Sequence, residues 1–173
     1  MFSEHKVTIA SDKFVEVDQD LIPTGNILSV DDTFMDLRKP AVLADILPKC
    51  PGGDFAGFSH CFVINDNLTS KDESSLKLSD KALVDVATVE DKTTGRGLRC
   101  LTDQPGLIFY TGQYNSSTGP MVGRSGKVYG KYSGLCLETQ KFGDSCNHPN
   151  FPSWTLHPGQ VYTHNTEYMF YTF

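Results

Sequence analysis

Leu135-Cys136-Leu137-Glu138-Thr139-Gln140 sets one carboxylate among apolar and small residues. Read as a strand, the segment alternates: Cys136, Glu138 and Gln140 share one face, and Leu135, Leu137 and Thr139 the other. A carboxylate partly buried there resists ionisation, and its raised pKa suits a general base near neutral pH. The plainer reading of Glu138 is a strand-end residue paired with a lysine or arginine. Gln104, in Thr102-Asp103-Gln104-Pro105-Gly106, stands at a strand end. Its amide can donate and accept, as sugar hydroxyls require, or it can steady the turn. His60, in Gly57-Phe58-Ser59-His60-Cys61-Phe62, lies beside aromatics able to stack on a ring, although a structural histidine is the commoner role. Cys61 makes no nucleophilic pair with it, because neighbouring strand residues point to opposite faces. The five histidines show no H-x-x-x-H pair and the five cysteines no C-x-x-C, so neither a metal site nor a disulfide framework is indicated. A nucleophile elbow, a P-loop and a dinucleotide fingerprint are all absent from the sequence.

The elements around these residues read as short strands. Val7 and Ile9, then Val15 and Val17, alternate with polar neighbours. Pro23-Thr24-Gly25 reads as a turn. Residues 40–47 read as a short helix opened by Pro40 and stopped by Pro51-Gly52-Gly53. Residues 65–82 are polar and read as a loop. Leu83–Val89 and Leu98–Thr102, joined by Lys92-Thr93-Thr94-Gly95, predict a hairpin. Leu107–Tyr110, Gly134–Gln140 and Tyr168–Phe173 predict further strands. The glycine-rich stretch 112–130 predicts a long loop. The fold class is therefore all-β, with residues 1–173 as a single domain.

With 173 residues, 39% hydrophobic and 11% aromatic, the chain has ample apolar area for a core. A net charge of −6 argues against a nucleic-acid partner. No apolar run reaches the roughly 18–20 residues of a membrane span, so no membrane association is expected. Met1-Phe2-Ser3-Glu4-His5 shows no secretory leader, which predicts free thiols and a cytoplasmic location.

Several strings, in order along nearly the whole chain, resemble the C-terminal half of the galactose mutarotase (aldose 1-epimerase) family. They include Leu21-Ile22-Pro23-Thr24-Gly25, Phe34-Met35-Asp36-Leu37-Arg38-Lys39-Pro40 and Gly57-Phe58-Ser59-His60. Gln104-Pro105-Gly106, Gly134-Leu135-Cys136-Leu137-Glu138-Thr139-Gln140 and Leu156-His157-Pro158-Gly159 continue the series. The resemblance implies a large twisted β-sandwich and interconversion of the α and β anomers of a free aldohexose, galactose or glucose, without metal or cofactor. It makes Glu138 the catalytic base and Gln104, Ser59 and His60 the substrate-binding residues. The family's Gly-Phe-Asp-His reads Gly57-Phe58-Ser59-His60 here, so a hydroxyl replaces a carboxylate and charge-assisted bonding is lost. The Asn-His-Ser-Tyr-Phe-Asn type motif that carries the family's acid histidine does not occur. These departures imply impaired catalysis, or alternatively a non-catalytic carbohydrate-binding or interaction protein on the same fold. A half sandwich also implies self-association through exposed sheet edges.

Overall fold

The computed structural model describes residues 4–64, 83–115 and 119–173. The expected loop at 65–82 lies outside the described residues. Among the described residues, twelve strands form two five-stranded antiparallel sheets and one small hairpin. The first sheet runs β12 (Thr166–Thr172), β7 (Arg96–Thr102), β6 (Val84–Asp91), β1 (Lys6–Ile9), β4 (Ala41–Val42). The second runs β11 (Cys136–Gln140), β8 (Gly106–Tyr110), β5 (Ser59–Val63), β2 (Lys13–Val17), β3 (Pro23–Ser29). The hairpin of β9 (Met121–Val122) and β10 (Val128–Tyr129) is exposed and interrupts the stretch expected to be loop throughout.

The alternation in the sequence becomes the two faces of each sheet. Val7 and Ile9 of β1 are fully buried, as are Val86, Cys100, Phe58, Phe62, Leu107 and Phe109. These residues come from both sheets and form one cluster between them, so the molecule is a sandwich with its core in the gap. A second, smaller cluster of Val15, Cys61, Val63, Phe142 and Phe151 lies on the opposite face of the second sheet. The β6–β7 hairpin forms as expected, with Asp91 opposite Arg96. All five cysteines are free.

Two local expectations are corrected. Pro23-Thr24-Gly25 opens β3 rather than forming a turn. The reversal lies earlier, where the Asp18 carboxylate accepts from the backbone N–H groups of Asp20 and Ile22 and Leu21 takes a φ of 64°. Pro23 then sits where proline is tolerated, at the first residue of an edge strand. The expected helix at 40–47 shrinks to one turn, α1 (Leu43–Ile46), followed by a 3₁₀ turn over Leu47–Lys49. Ala41 and Val42 instead pair with β1, and the Leu43 N–H donates to the His5 carbonyl at 3.0 Å. With that backbone committed to the sheet, a helix begins only afterwards.

Candidate functional site

Glu138 sits at the centre of β11, the outer strand of the second sheet. Its cross-strand partner is Ile108, whose partner in turn is Cys61. Directly paired residues share a face, so Glu138 lies on the side of the smaller cluster, away from the inter-sheet core. Leu137, one residue before it, pairs with Phe109 and faces that core. The strand's burial follows this alternation, with Leu137 buried and Cys136 and Glu138 exposed. Glu138 is therefore open to solvent rather than partly buried. Among the described residues no strand lies beyond β11, and even its central residue is left uncovered. Cys136, two residues away on the same face, has its thiol pKa raised by burial and then by the neighbouring Glu138 carboxylate.

Gln104 occupies the turn between β7 and β8 and is 3% exposed. Its side-chain Oε1 is buried with no hydrogen-bond partner. An uncompensated buried acceptor costs about 1–3 kcal/mol, so a ligand donor arriving there would be favoured. The turn is bound to the strand of Glu138 by a chain of threonine hydroxyls. The Gln104 N–H donates to Thr102 Oγ1 at 3.1 Å, Thr102 Oγ1 lies 3.3 Å from Thr166 Oγ1, and Thr166 Oγ1 bonds Thr139 Oγ1, next to Glu138. Tyr168 adds a second tie, donating its O–H to the Leu137 carbonyl at 2.7 Å. Gly106 lets the strands close up here, since a Cβ would press on Cys61 Sγ and on the Gln140 carbonyl.

Asp103, a second carboxylate beside Gln104 in sequence, is committed elsewhere. Buried, it accepts from the Asn165 backbone N–H at 3.0 Å and from Asn165 Nδ2 at 3.3 Å, with His164 Nδ1 at 3.9 Å. It fastens the segment leading into β12 against the turn, leaving Gln104 as the turn's unengaged polar group.

Ser59 and His60 part company. Ser59 pairs with Tyr110, and Tyr110 with Cys136, so Ser59 lies on the Glu138 face one row along the sheet. His60 pairs with Phe109 and lies on the core face. It is half-buried, with its ring edge-on to Phe14, Phe34 and Phe58 at 5.9–6.4 Å between centroids. Burial lowers its pKa to about 4, so the imidazole is neutral at pH 7. Its Nδ1 accepts from the Ser59 N–H at 3.1 Å, which leaves the proton on Nε2. The structure thus brings Glu138 and Ser59 to one face and ties Gln104 to that border, while His60 faces the other way.

The threonine chain and Tyr168 were not singled out in the sequence. The contacts among Thr102, Thr139 and Thr166 and the Tyr168–Leu137 bond span 27 residues or more, and nothing local signals them. Among the described residues no group of three His, Cys, Asp or Glu side chains is placed to hold a metal ion. No described helix is long and apolar enough to cross a membrane.

A family model described as aldose 1-epimerase matches residues 1–169. Galactose mutarotase from Mus musculus is 41% identical over 167 residues, covering 96% of this chain and 44% of the relative. The Homo sapiens galactose mutarotase is 40% identical over 170 residues, covering 97% of this chain and 44% of the relative. Aldose 1-epimerase from Escherichia coli (strain K12) is 30% identical over 169 residues, with 96% and 44% covered. The chain thus spans less than half the length of these relatives. Among solved structures, a GalM/aldose epimerase homologue from C. elegans superposes with a TM-score of 0.79 at 25% identity, over 99% of this chain and 47% of that one. A galactose 1-epimerase from Lactobacillus acidophilus NCFM shares the fold, with a TM-score of 0.66 at 17% identity over 98% of this chain and 44% of that one.

Proposed function

The chain belongs to the aldose 1-epimerase family, and from that premise we propose that it is the C-terminal portion of a mutarotase domain acting on a free aldohexose. Glu138 is the base of this reading. It takes the proton from the anomeric hydroxyl as the bond between C1 and the ring oxygen breaks. The ring oxygen takes a proton from an acid, and the products are an aldehyde and a free hydroxyl. Rotation about C1–C2 and closure by the reverse transfers give the other anomer. Gln104 and Ser59 supply hydrogen bonds to sugar hydroxyls beside the base. Galactose and glucose are the substrates proposed, in a cytoplasmic setting.

The observation that carries this reading is the threonine chain. It joins the Glu138 strand to a turn whose one unengaged polar group, Gln104 Oε1, is buried and unpaired. A base and a hydroxyl-binding amide held on one framework are what ring opening requires. His60 does not complete the pair. It faces the core, and at pH 7 it is a neutral imidazole with no imidazolium proton to give. His60 is therefore not the acid of this reading, and an isolated chain is expected to be slow.

The test is the optical-rotation decay of fresh α-D-galactose, run beside a Glu138→Gln variant and a calorimetric titration with galactose. A rate above buffer that falls by about 10²–10⁴ in the variant supports the base assignment. Equal rates in parent and variant overturn it. Galactose binding with no turnover in either protein would move the reading to a carbohydrate-binding remnant of the fold.

A further inference from the structure

Two aromatic side chains outside the strands are held in a stack. Phe55 ends the 3₁₀ turn Gly53–Phe55 that precedes β5, and Tyr114 follows β8. Their rings lie 5.2 Å apart between centroids and 17° from parallel. Lys131 Nζ sits over the Phe55 ring, 4.3 Å from its centroid, and donates to the Asp54 carbonyl at 2.6 Å. Tyr132, the next residue, donates its O–H to the Ala56 carbonyl at 2.5 Å. The loop leading into β11 thus grips the backbone on both sides of Phe55, and a cation steadies its ring. Tyr132 does this at a φ of 57°, which a bulky residue rarely adopts and which persists only where the surroundings over-determine it. Both rings still meet water, Phe55 at 39% exposure and Tyr114 at 41%.

β8 places this stack beside Glu138. Tyr110 pairs with Ser59 and with Cys136, so all three stand on the Glu138 face, one row from Glu138 itself. The Tyr110 hydroxyl accepts from the Tyr114 N–H at 3.2 Å, which brings the backbone of Tyr114 to that face. Asn115 closes the turn by donating its N–H to the Gly112 carbonyl at 3.1 Å. Along β8 the order is then Gln104 before the strand, Ile108 in the Glu138 row, Tyr110 in the next row and Tyr114 beyond it. Neighbouring rows on one face are about 7 Å apart. Ser59 and Cys136, which flank Tyr110, are small, so in that row neither β5 nor β11 raises a bulky side chain between Glu138 and Tyr114. The platform belongs to β5 and β8, each paired on both sides, rather than to an outer strand.

A pyranose carries hydroxyls around its rim and an apolar face of axial C–H groups. That face packs against the negatively polarised face of an aromatic ring. A single hexose between Gln104, Glu138 and Ser59 has no use for an ordered aromatic platform a further row away. A second hexose joined to it reaches that platform. Resting on Glu138 as the base, we propose that the face of Tyr114 turned away from Phe55 is a second sugar subsite. The site then takes a reducing disaccharide, with its reducing ring at Glu138 and its second ring on Tyr114. Ring opening leaves the second ring unchanged, so Tyr114 holds substrate and transition state equally and acts on binding rather than on the chemical step.

Calorimetric titration of the 173-residue chain with maltose and with glucose tests the subsite, because both sugars present a reducing glucose ring and only maltose has a second. Maltose is expected to bind about 3–10-fold more tightly, the scale of one aromatic contact. Tyr114→Ala should bring that ratio to about one, and Tyr114→Phe, which keeps the ring, should preserve it. Saturation-transfer NMR of maltose on the parent chain needs no variant to fold, and transfer is expected to the C–H protons of both rings. Equal affinity for the two sugars, a ratio unchanged in Tyr114→Ala, or transfer confined to the reducing ring overturns the subsite and leaves Glu138 as the base. Equal anomerisation rates in parent and Glu138→Gln, with the maltose ratio intact, would strike the base and leave a two-ring binding site. A chain that binds neither sugar overturns both.

Discussion

The β1–β6 side and the β12 side of the first sheet are both built from strands rich in apolar residues and meet different fates. On the first side Val7 and Ile9 of β1 are wholly buried beneath the second sheet, with Val86 and Val89 of β6 beside them. On the other side Cys100 is fully buried while its same-face neighbour Tyr168 is 45% exposed, and half-buried Leu98 adjoins Phe170 at 82%. The difference is not one of composition, since both sides are rich in apolar residues. It comes from where the opposite sheet stops. β11 meets β12 at the Thr139–Thr166 end and at the Tyr168–Leu137 bond. Toward Leu135 and Phe170 the sheets part around an open cleft. Glu138 lies on this same border. The closed end supplies stability, and the open end presents groups that the described residues leave uncovered: Glu138 on β11 and Phe170 on β12.

The contrast breaks most visibly if the closed end proves dispensable. Phe58 is fully buried, 5.1 Å from Phe109 and 5.8 Å from Phe34 between ring centroids. Phe58→Ala should cost about 3–5 kcal/mol in urea unfolding, the range for removing a large ring from a packed core. A loss below about 1 kcal/mol would mean that the gap between the sheets is loosely packed and that the two ends do not differ in kind.

His60 sharpens the comparison through pH. Its pKa is about 4 in the folded chain and near 6.5 when unfolded. Between those values the unfolded chain binds more protons, so unfolding becomes easier as pH falls. The contribution is fully present above pH 6.5, declines through pH 5 and is exhausted below pH 4. Across that window it amounts to roughly 3 kcal/mol. Subtracting the stability profile of His60→Gln from that of the parent isolates this part from the carboxylates. The difference should change between pH 6.5 and 4 and be flat above. Parallel profiles would show that the ring is open to water.

These regions were not equally legible in the sequence. Period-two alternation located the core strands, and it put Glu138 and Leu137 on opposite faces of β11 as found. It also set His60 opposite Cys61, but it could not say which of those faces the second sheet covers. Exposure of Glu138 depends on β11 being an edge, a property of the whole sheet order. The sequence sets Asp103 beside Gln104 and assigns it no role; only its bond to Asn165, 62 residues away, shows that the two side chains act apart. The helix was overread because pairing of Ala41 and Val42 with β1 is a long-range contact that propensity does not see.

Phe170→Thr carries the smallest expected effect on the single chain and the one most specific to the open end. The ring is 82% exposed, so its loss removes little buried area, and an exposed strand position tolerates threonine. The unfolding free energy in urea should move by less than about 0.5 kcal/mol. A larger loss would make Phe170 an ordinary packing residue of the cleft, and the two sides of the sheet would differ only in degree.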